Sequence, residues 1–382
     1  MKARERLRTA LAHKEPDRVP LDLVAHGATG IHWKAYVRLR KYLGLPEKPV
    51  RVWDTMQQLA FCEEDLLRQL QVDVRLLERN PPSGWKLNLV KNNGGQSYVD
   101  EWGTMFYMPE AGLYYDPRGH PLKDMKTVQE IEKYSWPDPT DPARFQGLRQ
   151  RARELSQNTG TGVALGSIYV GLFEGLNWLR GLEQSMMDLV LNPKIVEAVM
   201  EKIAEIKIAY WSTILPQVKD WVDVVSESDD LGAQKGPMIS IAMYRKFIKP
   251  LHTRVFSTIK RYTDAPIFFH SCGCVWNFLP DFIESGIDIL NPVQVSAAKM
   301  DTKALKREFG RDLTFWGGGC DSQNILPHGT PNQVREEVKR RIEDLAAGGG
   351  FVFNPVHNIQ ADVPPENIVA MWEAWRDFGR YS

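Results

Sequence analysis

Short apolar segments alternate with amphipathic stretches along the chain, and this alternation constrains the fold more than any other feature. Near-continuous apolar strands that are separated by helices are typical of a parallel sheet buried on both faces. Eight such strands are the number that closes a (β/α)8 barrel. The eight segments are residues 18–24, 72–77, 161–167, 222–228, 265–273, 287–294, 313–320 and 349–358.

We therefore predict an α/β fold, a (β/α)8 TIM barrel formed by residues 1–382 as a single domain. The alternative is an open doubly wound sheet, but no G-x-G-x-x-G follows the first segment, which disfavours a dinucleotide-binding version. One of the intervening helices is well marked at both ends. Thr330 suits an N-cap, Pro331 suits the first helical position and Gly348 suits the stop.

One region, residues 80–135, interrupts the alternation. It is rich in Trp, Phe and Tyr, and its Asn-Asn-Gly-Gly at 92–95 is flanked by alternating residues, which is a strong hairpin signal. We predict an antiparallel β-hairpin insertion after the second strand, over one end of the barrel. Such an insertion either forms a small aromatic cluster of its own or contributes to a cover over the substrate.

Charge and hydropathy exclude several classes of protein. Lys and Arg number 48 and so do Asp and Glu, and this neutral balance argues against nucleic acid as the main partner. No apolar run reaches about 18 residues, so we expect no membrane span. The N-terminal sequence MKARERLRTALAHKEPDRVP is charged and lacks the apolar core of a secretory signal, so we expect a cytoplasmic protein. The four cysteines are then thiols that pack, bind metal or react.

Polar residues collect where the predicted strands end. Because (β/α)8 enzymes assemble their sites at the carboxyl ends of the strands, we predict that these side chains share one site. They are Tyr169 after the third strand, Glu227 and Asp229 at the end of the fourth, His270 and Cys272 at the end of the fifth, Asn291 and Gln294 at the end of the sixth, Cys320 at the end of the seventh and His357 at the end of the eighth.

Three of these residues have the chemistry of metal ligands. Residues i and i+2 of a strand point to the same side, so His270 and Cys272 can reach one ion, and Cys320 can close over the barrel mouth. A His/Cys2 set favours Zn²⁺, and three ligands leave an exchangeable position, as in catalytic sites. Glu227 is a candidate fourth ligand or base. Cys274 is the competitor, either in place of Cys272 or paired with it as a redox couple, and a buried cysteine is often only a small hydrophobe.

The chain resembles the uroporphyrinogen decarboxylase superfamily over nearly its whole length. The resemblance lies in RERLRTALAHKEPDRVPLDL near the start, HSCG at 270–273, IDILNPVQ, FWGGGCDSQNILPHGTPNQVREEV and FNPVHNIQADVPPENIVAM. The decarboxylases carry an arginine-bearing M-R-Q-A-G-R-Y after the first strand, where this chain has LVAHGATGIHW. The arginines that would grip the acetates of a porphyrin are missing, which argues against decarboxylation.

The H-x-C pattern with a distant cysteine is similar to that of the zinc-dependent, corrinoid-linked methyltransferases of this superfamily. These include the methylcobalamin:coenzyme M methyltransferases and the methyl-donor:corrinoid protein methyltransferases of O-demethylation. The resemblance implies a zinc ion held by His270, Cys272 and Cys320 and a separate corrinoid (cobalamin) protein that docks over the barrel mouth. Dimers are common in the superfamily, so a homodimer is compatible with the resemblance. We expect a small methylated substrate, and the aromatic insertion favours an aromatic methyl ether whose methyl group passes to Co(I).

Other functions stay open at this stage. The chain could methylate a thiol from methylcobalamin, decarboxylate a tetrapyrrole, or bind zinc or a corrinoid without catalysis. His357 is a candidate proton donor to the leaving oxygen, or it orients a ligand. Asp229 either caps the following helix or contributes to the site, and Asn291, Gln294 and Tyr169 are candidates for substrate binding.

Overall fold

A parallel sheet whose strands follow one another in chain order forms the wall of a barrel. The computed structural model describes residues 1–92 and 94–381. Its seven-stranded sheet has the order β13-β12-β11-β10-β9-β8-β3, and every pairing in it is parallel. The strands in the described part of the chain are β1 (Val52–Asp54), β2 (Leu59–Ala60), β3 (Val74–Leu77), β4 (Val90–Asn92), β5 (Gly95–Val99), β6 (Met105–Pro109), β7 (Asp116–Gly119), β8 (Gly162–Gly166), β9 (Val224–Ser228), β10 (Ile267–His270), β11 (Ile289–Asn291), β12 (Thr314–Trp316) and β13 (Phe351–Val352).

The first predicted segment joins the two edges of this sheet without forming a regular strand. Leu21 forms an isolated parallel bridge with Phe353, and the Asp22 N–H donates to the Phe353 carbonyl oxygen at 2.9 Å. On the other side, the Asp73 N–H donates to the Leu21 carbonyl oxygen at 2.8 Å. Residues 20–22 therefore lie between β13 and β3 in the place of an eighth strand. The predicted TIM-barrel fold is confirmed, with strands shorter than the apolar segments that predicted them.

Alternation along each strand separates an inner core from an outer one. Phe268 faces the barrel interior, while Phe269 packs in the large cluster shared with the helices. Polar residues at a strand end therefore face either the barrel mouth or the helices, according to their parity. The inner cluster consists of Leu7, Ala25, Val74, Ala164, Val224, Phe268, Ile289, Trp316 and Val352.

The helices pack against the outer face of the sheet. In α14, Thr330 and Gln333 form a reciprocal capping box and Pro331 is the first helical residue, as predicted, although the helix ends at Leu345, before Gly348. Within the described residues, no helix combines the length and hydropathy needed to cross a bilayer. The helices are α1 (Ala3–Leu11), α2 (Trp33–Tyr42), α3 (Glu64–Gln69), α4 (Val128–Glu132), α5 (Leu148–Thr159), α6 (Leu172–Arg180), α7 (Leu182–Leu191), α8 (Pro193–Val218), α9 (Ile241–Met243), α10 (Lys249–Tyr262), α11 (Leu279–Ser285), α12 (Thr302–Phe309), α13 (Ile325–His328), α14 (Pro331–Leu345) and α15 (Pro365–Phe378).

The insertion after β3 is a four-stranded antiparallel sheet with the order β4-β5-β6-β7. The predicted hairpin is its first unit, in which Asn92 pairs with Gly95. Asn93, the other residue of the predicted turn, lies outside the described residues. The insertion is therefore larger than the single hairpin that the sequence indicated.

Candidate metal centre

Three potential ligand atoms converge at the carboxyl ends of β10 and β13. His270 is the last residue of β10, Cys272 follows it by two residues, and His357 lies five residues beyond β13. One ligand atom from each of these three residues lies within 4.8 Å of the other two, the only group of this kind in the described part of the chain. The His270 Nε2 and the Cys272 Sγ are 3.3 Å apart. The donors are soft or borderline, which suits Zn²⁺.

Asn291 fixes the orientation of the His270 ring. The Asn291 Nδ2 donates to the Trp316 carbonyl oxygen at 2.7 Å, so its Oδ1 is directed at the His270 Nδ1, 2.6 Å away. An Nδ1–H that donates to this amide oxygen leaves the lone pair of Nε2 free to bind a metal. Asn291 is thus placed to orient a potential ligand, and its predicted contact with substrate stays a prediction.

Replacing Asn291 with leucine is expected to lower the affinity for Zn²⁺ about 10–100-fold, because partners that orient a ligand typically contribute that much. Competition with a fluorescent chelator measures the affinity. Asn367→Leu is the matched control, since Asn367 is also buried and donates two hydrogen bonds to backbone oxygens, but at α15. An Asn291 variant that binds Zn²⁺ as tightly as the wild type would show that the ring needs no such partner.

The backbone around Cys272 is held by the loop that follows β9. The Cys272 N–H donates to the Asp230 Oδ1 at 2.8 Å, and this oxygen lies 3.7 Å from the His270 Nε2. Gly273 has a φ of 84°, and a Cβ there would lie 2.5 Å from the backbone of Gly232. This left-handed turn separates Cys274, which packs in the outer core, from the ligand group.

Burial shifts the pKa values of His357 and Cys272. It lowers the pKa of His357 to about 4, with the neighbouring His270 as a further cause. Burial also raises the pKa of the Cys272 thiol well above its ordinary value, and the carboxylates of Asp230 and Glu174 add to this shift. The imidazole of His357 is therefore neutral at pH 7, the form that binds metals, while the thiol would lose its proton on metal binding.

Cys320, the third ligand that the sequence predicts, is not a member of this group in the structure. Its side chain is fully buried in the outer core, and the charges that act on it include Glu337 and Arg341 of α14. The reason is the turn after β12, where Gly317 and Gly318 have φ values of 91° and 82°. These two left-handed residues end the inward–outward alternation of β12. The inward direction of Trp316 therefore does not predict the direction of the Cys320 side chain. His357 takes the third position instead.

Glu227 also faces the helices rather than the mouth. Its carboxylate forms an ion pair with Lys207 Nζ at 2.6 Å and accepts hydrogen bonds from Ser167 Oγ at 2.8 Å and Trp211 Nε1 at 2.5 Å. Ser226 precedes it on β9, and neighbouring residues of a strand point to opposite faces. In this structure Glu227 holds α8 against the barrel, and its predicted role as a ligand or base stays a prediction.

Asp229 contacts the first turn of α6, an earlier helix than the following one that it was predicted to cap. Its carboxylate accepts from the N–H groups of Phe173 at 3.1 Å and Glu174 at 2.9 Å, in the first turn of α6. The Nε2 of His252 lies 3.1 Å from the same carboxylate. With these partners and no exposed surface, Asp229 holds α6 in place, and its predicted role in the site stays a prediction.

Gln294 and Tyr169 likewise have structural partners. The Gln294 Oε1 accepts from the Gly273 N–H at 2.7 Å, which supports the turn next to Cys272. The Tyr169 ring stacks on Trp102 of the insertion with 3.8 Å between the ring centroids. Both residues are at most 9% exposed. Their predicted contacts with substrate stay predictions, while their packing is observed.

The sequence reasoning missed His26. This residue follows the first predicted strand, in the stretch LVAHGATGIHW, and its ring stacks on His270 with 5.3 Å between centroids. Burial lowers the pKa of His26 well below its ordinary value, with His270, His357 and Arg79 as further causes. The sequence could have indicated His26, because this histidine lies at the place where the decarboxylases carry their arginine-bearing motif.

Comparisons with known proteins agree with this fold. Residues 113–378 match the family described as uroporphyrinogen decarboxylase (URO-D). A uroporphyrinogen decarboxylase of Legionella pneumophila is 27% identical over 281 residues, which cover 70% of this chain and 74% of the relative. One from Pseudoalteromonas translucida is 26% identical over 296 residues, covering 71% and 76%.

A solved structure of a methyltransferase from Methanosarcina mazei aligns with a TM-score of 0.68 and 19% sequence identity, covering 99% of each chain. At this identity the likeness shows a shared fold. The family match spans more than half of the chain, and it agrees with the barrel order observed here. The chain therefore belongs to the uroporphyrinogen decarboxylase family.

Proposed function

We propose that this protein is a zinc-dependent methyltransferase that moves a methyl group from a small methyl ether to the Co(I) of a separate corrinoid protein. The observation that carries the proposal is the ligand group formed by His270, Cys272 and His357 at the barrel mouth. Decarboxylation requires no such group of soft donors. A solved structure with this fold is described as a methyltransferase, which is consistent with the proposal.

The donors fit a zinc ion that keeps an exchangeable position. His270 Nε2, the Cys272 thiolate and one nitrogen of His357 supply three protein ligands, the number typical of catalytic zinc. A bound Zn²⁺ would supply Lewis acidity, which stabilises the negative charge that develops on a leaving oxygen. Asn291 and Asp230 hold two of the ligands through His270 Nδ1 and the Cys272 N–H, so little reorganisation is needed.

The segment after the first strand argues against a porphyrin substrate. Residues 23–33 contain no arginine. In the structure His26 from this segment lies against Phe268 and His270, with ring centroids 5.2 and 5.3 Å apart. A tetrapyrrole with several carboxylates needs cationic partners at the mouth, and this segment offers neutral imidazole instead.

The aromatic insertion contributes less to the substrate argument than the sequence indicated. Tyr98, Phe106 and Tyr115 form a cluster of their own, so these rings are not free to stack on a substrate. Tyr114 of the insertion contacts the segment after β13, where its hydroxyl lies against Gln360 Oε1 and 3.3 Å from Asn358 Oδ1. We therefore propose a methyl ether without assigning the aromatic group that the insertion had suggested.

Removal of zinc with a chelator is expected to lower the rate of methyl transfer at least about 100-fold, because Lewis-acid stabilisation contributes several kcal/mol to such a step. Added Zn²⁺ should restore the rate. The measurement combines elemental analysis with a panel of methyl ethers and a matched corrinoid protein, whose methylation is followed by absorbance.

Three results would contradict the proposal. Activity only with methylcobalamin and a thiol acceptor would assign a thiol methyltransferase. Porphyrin-dependent activity that survives chelation would assign a decarboxylase. Zinc held by four protein ligands without exchange, seen by metal-edge absorption, would assign a structural role.

A further inference from the structure

His26 presents an unused hydrogen-bond donor next to the ligand group. Its Nδ1 accepts the N–H of Ala28 at 3.1 Å, so the proton of the neutral ring is on Nε2. Among the described residues, no hydrogen-bond partner is seen for this Nε2–H. The residue is partly exposed, and its ring packs on two inward-facing residues, Phe268 and His270.

A purely local role does not account for histidine at this position. His26 caps a three-residue 3₁₀ turn, Gly27–Thr29, through Nδ1 alone. Asn, Asp, Ser and Thr are the common caps, and each would satisfy the Ala28 N–H equally well. Histidine adds a second nitrogen on the far side of the ring. That nitrogen does not belong to the ligand group, whose members are His270, Cys272 and His357 in the described part of the chain.

We propose that His26 is a catalytic residue whose Nε2–H donates a hydrogen bond to the oxygen that loses the methyl group, so that the site selects methyl ethers over methyl thioethers and quaternary methylammonium compounds. This inference rests on the proposed function. In the step, the C–O bond breaks and its electron pair stays on oxygen, while the electron pair of Co(I) on the partner forms the new Co–C bond. The hydrogen bond from His26 strengthens as charge develops on that oxygen.

The selectivity follows from the same geometry. An ether oxygen accepts a hydrogen bond and becomes a stronger acceptor as it turns into an alkoxide or phenoxide. A thioether sulfur is a weak acceptor, and a quaternary ammonium has no lone pair to offer. A fixed donor at the leaving atom therefore stabilises the transition state for methyl ethers, and it stabilises the transition states for thioethers and quaternary ammonium compounds much less.

Two substitutions separate the two nitrogens of the ring. In His26→Asn the side-chain oxygen can replace Nδ1 as the cap, but the distal donor is lost. In His26→Gln the amide NH₂ can replace the distal donor, while the cap is lost. His328→Asn is the matched control, because His328 is exposed at the end of α13.

We expect His26→Asn to lower kcat for a methyl ether about 10–100-fold, the usual effect of removing one donor to a developing charge, with a small change in KM. His26→Gln should retain most of the activity, and the rate with the thioether analogue should stay nearly constant in both. Zinc content should be unchanged. Calorimetry should show about tenfold weaker binding of the demethylated phenol or alcohol to the Asn variant, but not to the Gln variant.

A loss of activity in His26→Gln with full activity in His26→Asn would overturn the inference, since it would indicate a structural cap only. Equal losses in the two variants would overturn it too, because the distal donor that Gln retains would then have no effect. Equal losses for ether and thioether, or unchanged binding of the demethylated product, would overturn it as well. If the wild-type protein holds no zinc and methylates no corrinoid protein, the proposed function fails and the inference falls with it. If the wild type is active and His26→Asn is equally active, the proposed function stands and only the inference about His26 is overturned.

Discussion

Replacing Cys272 with alanine is expected to strip the metal from the protein and to abolish methyl transfer. Cys272 supplies the thiolate of the ligand group, 3.3 Å from the His270 Nε2, and a thiolate is the strongest of the three proposed donors for Zn²⁺. Loss of one of three ligands should lower zinc affinity by more than the 10–100-fold that follows loss of a supporting residue. Elemental analysis after dialysis and a corrinoid methylation assay measure the two effects.

The other thiols provide matched controls for this experiment. Cys62, Cys274 and Cys320 are buried in the outer core, so their alanine variants should keep the metal and lose only some stability. A large-to-small change in such a core typically costs about 1–3 kcal/mol for a side chain of this size.

Cys320→Ala distinguishes two ligand sets. If that variant lost the zinc while His357→Ala kept it, the set implied by the family resemblance would be correct. The thiol would then have to turn from α14 toward the mouth when zinc binds. The structure favours the opposite pattern, in which His357→Ala loses zinc and Cys320→Ala retains it.

The fold could be predicted because its signal is repeated. Each barrel strand is a short apolar segment that is buried on both faces, and the helix at Pro331–Leu345 has a complete start signal. Errors in single segments do not disturb such a pattern. The first segment shows this, since residues 20–22 close the barrel through only a few backbone hydrogen bonds, yet their apolar character predicted their place.

The candidate site was less predictable, because it depends on the direction of single side chains. The pair His270 and Cys272 continues the parity of β10, and the structure brings the two together. Cys320 lies beyond two left-handed glycines, where side chains no longer alternate between the two faces of the sheet. The direction of Glu227 was readable, since Val224 and Ser226 set the inward face of β9, but its partner Lys207 is twenty residues upstream on a helix.

Lys207→Met is expected to destabilise the fold by about 3–5 kcal/mol, the usual result of removing one partner from a buried ion pair. Lys207 and Glu227 are 2% and 3% exposed, and Lys207 Nζ also donates to Ser167 Oγ at 2.9 Å and to the Tyr169 carbonyl oxygen at 3.0 Å. The variant leaves a carboxylate in the interior without its cation. Chemical denaturation followed by circular dichroism measures the free energy of unfolding.

An exposed ion pair serves as the control for the buried pair of Lys207 and Glu227. Arg254 and Glu201 are also 2.6 Å apart, but their side chains are 49% and 41% exposed, so Arg254→Met should cost at most about 1 kcal/mol. Adding Glu227→Gln to Lys207→Met should recover part of the lost stability, because the uncompensated charge is then removed. If Lys207→Met were as stable as the wild type but had lost methyl transfer, the result would support a role of Glu227 in the active site. The Glu227 carboxylate would then be needed for the reaction rather than for holding α8 on the barrel.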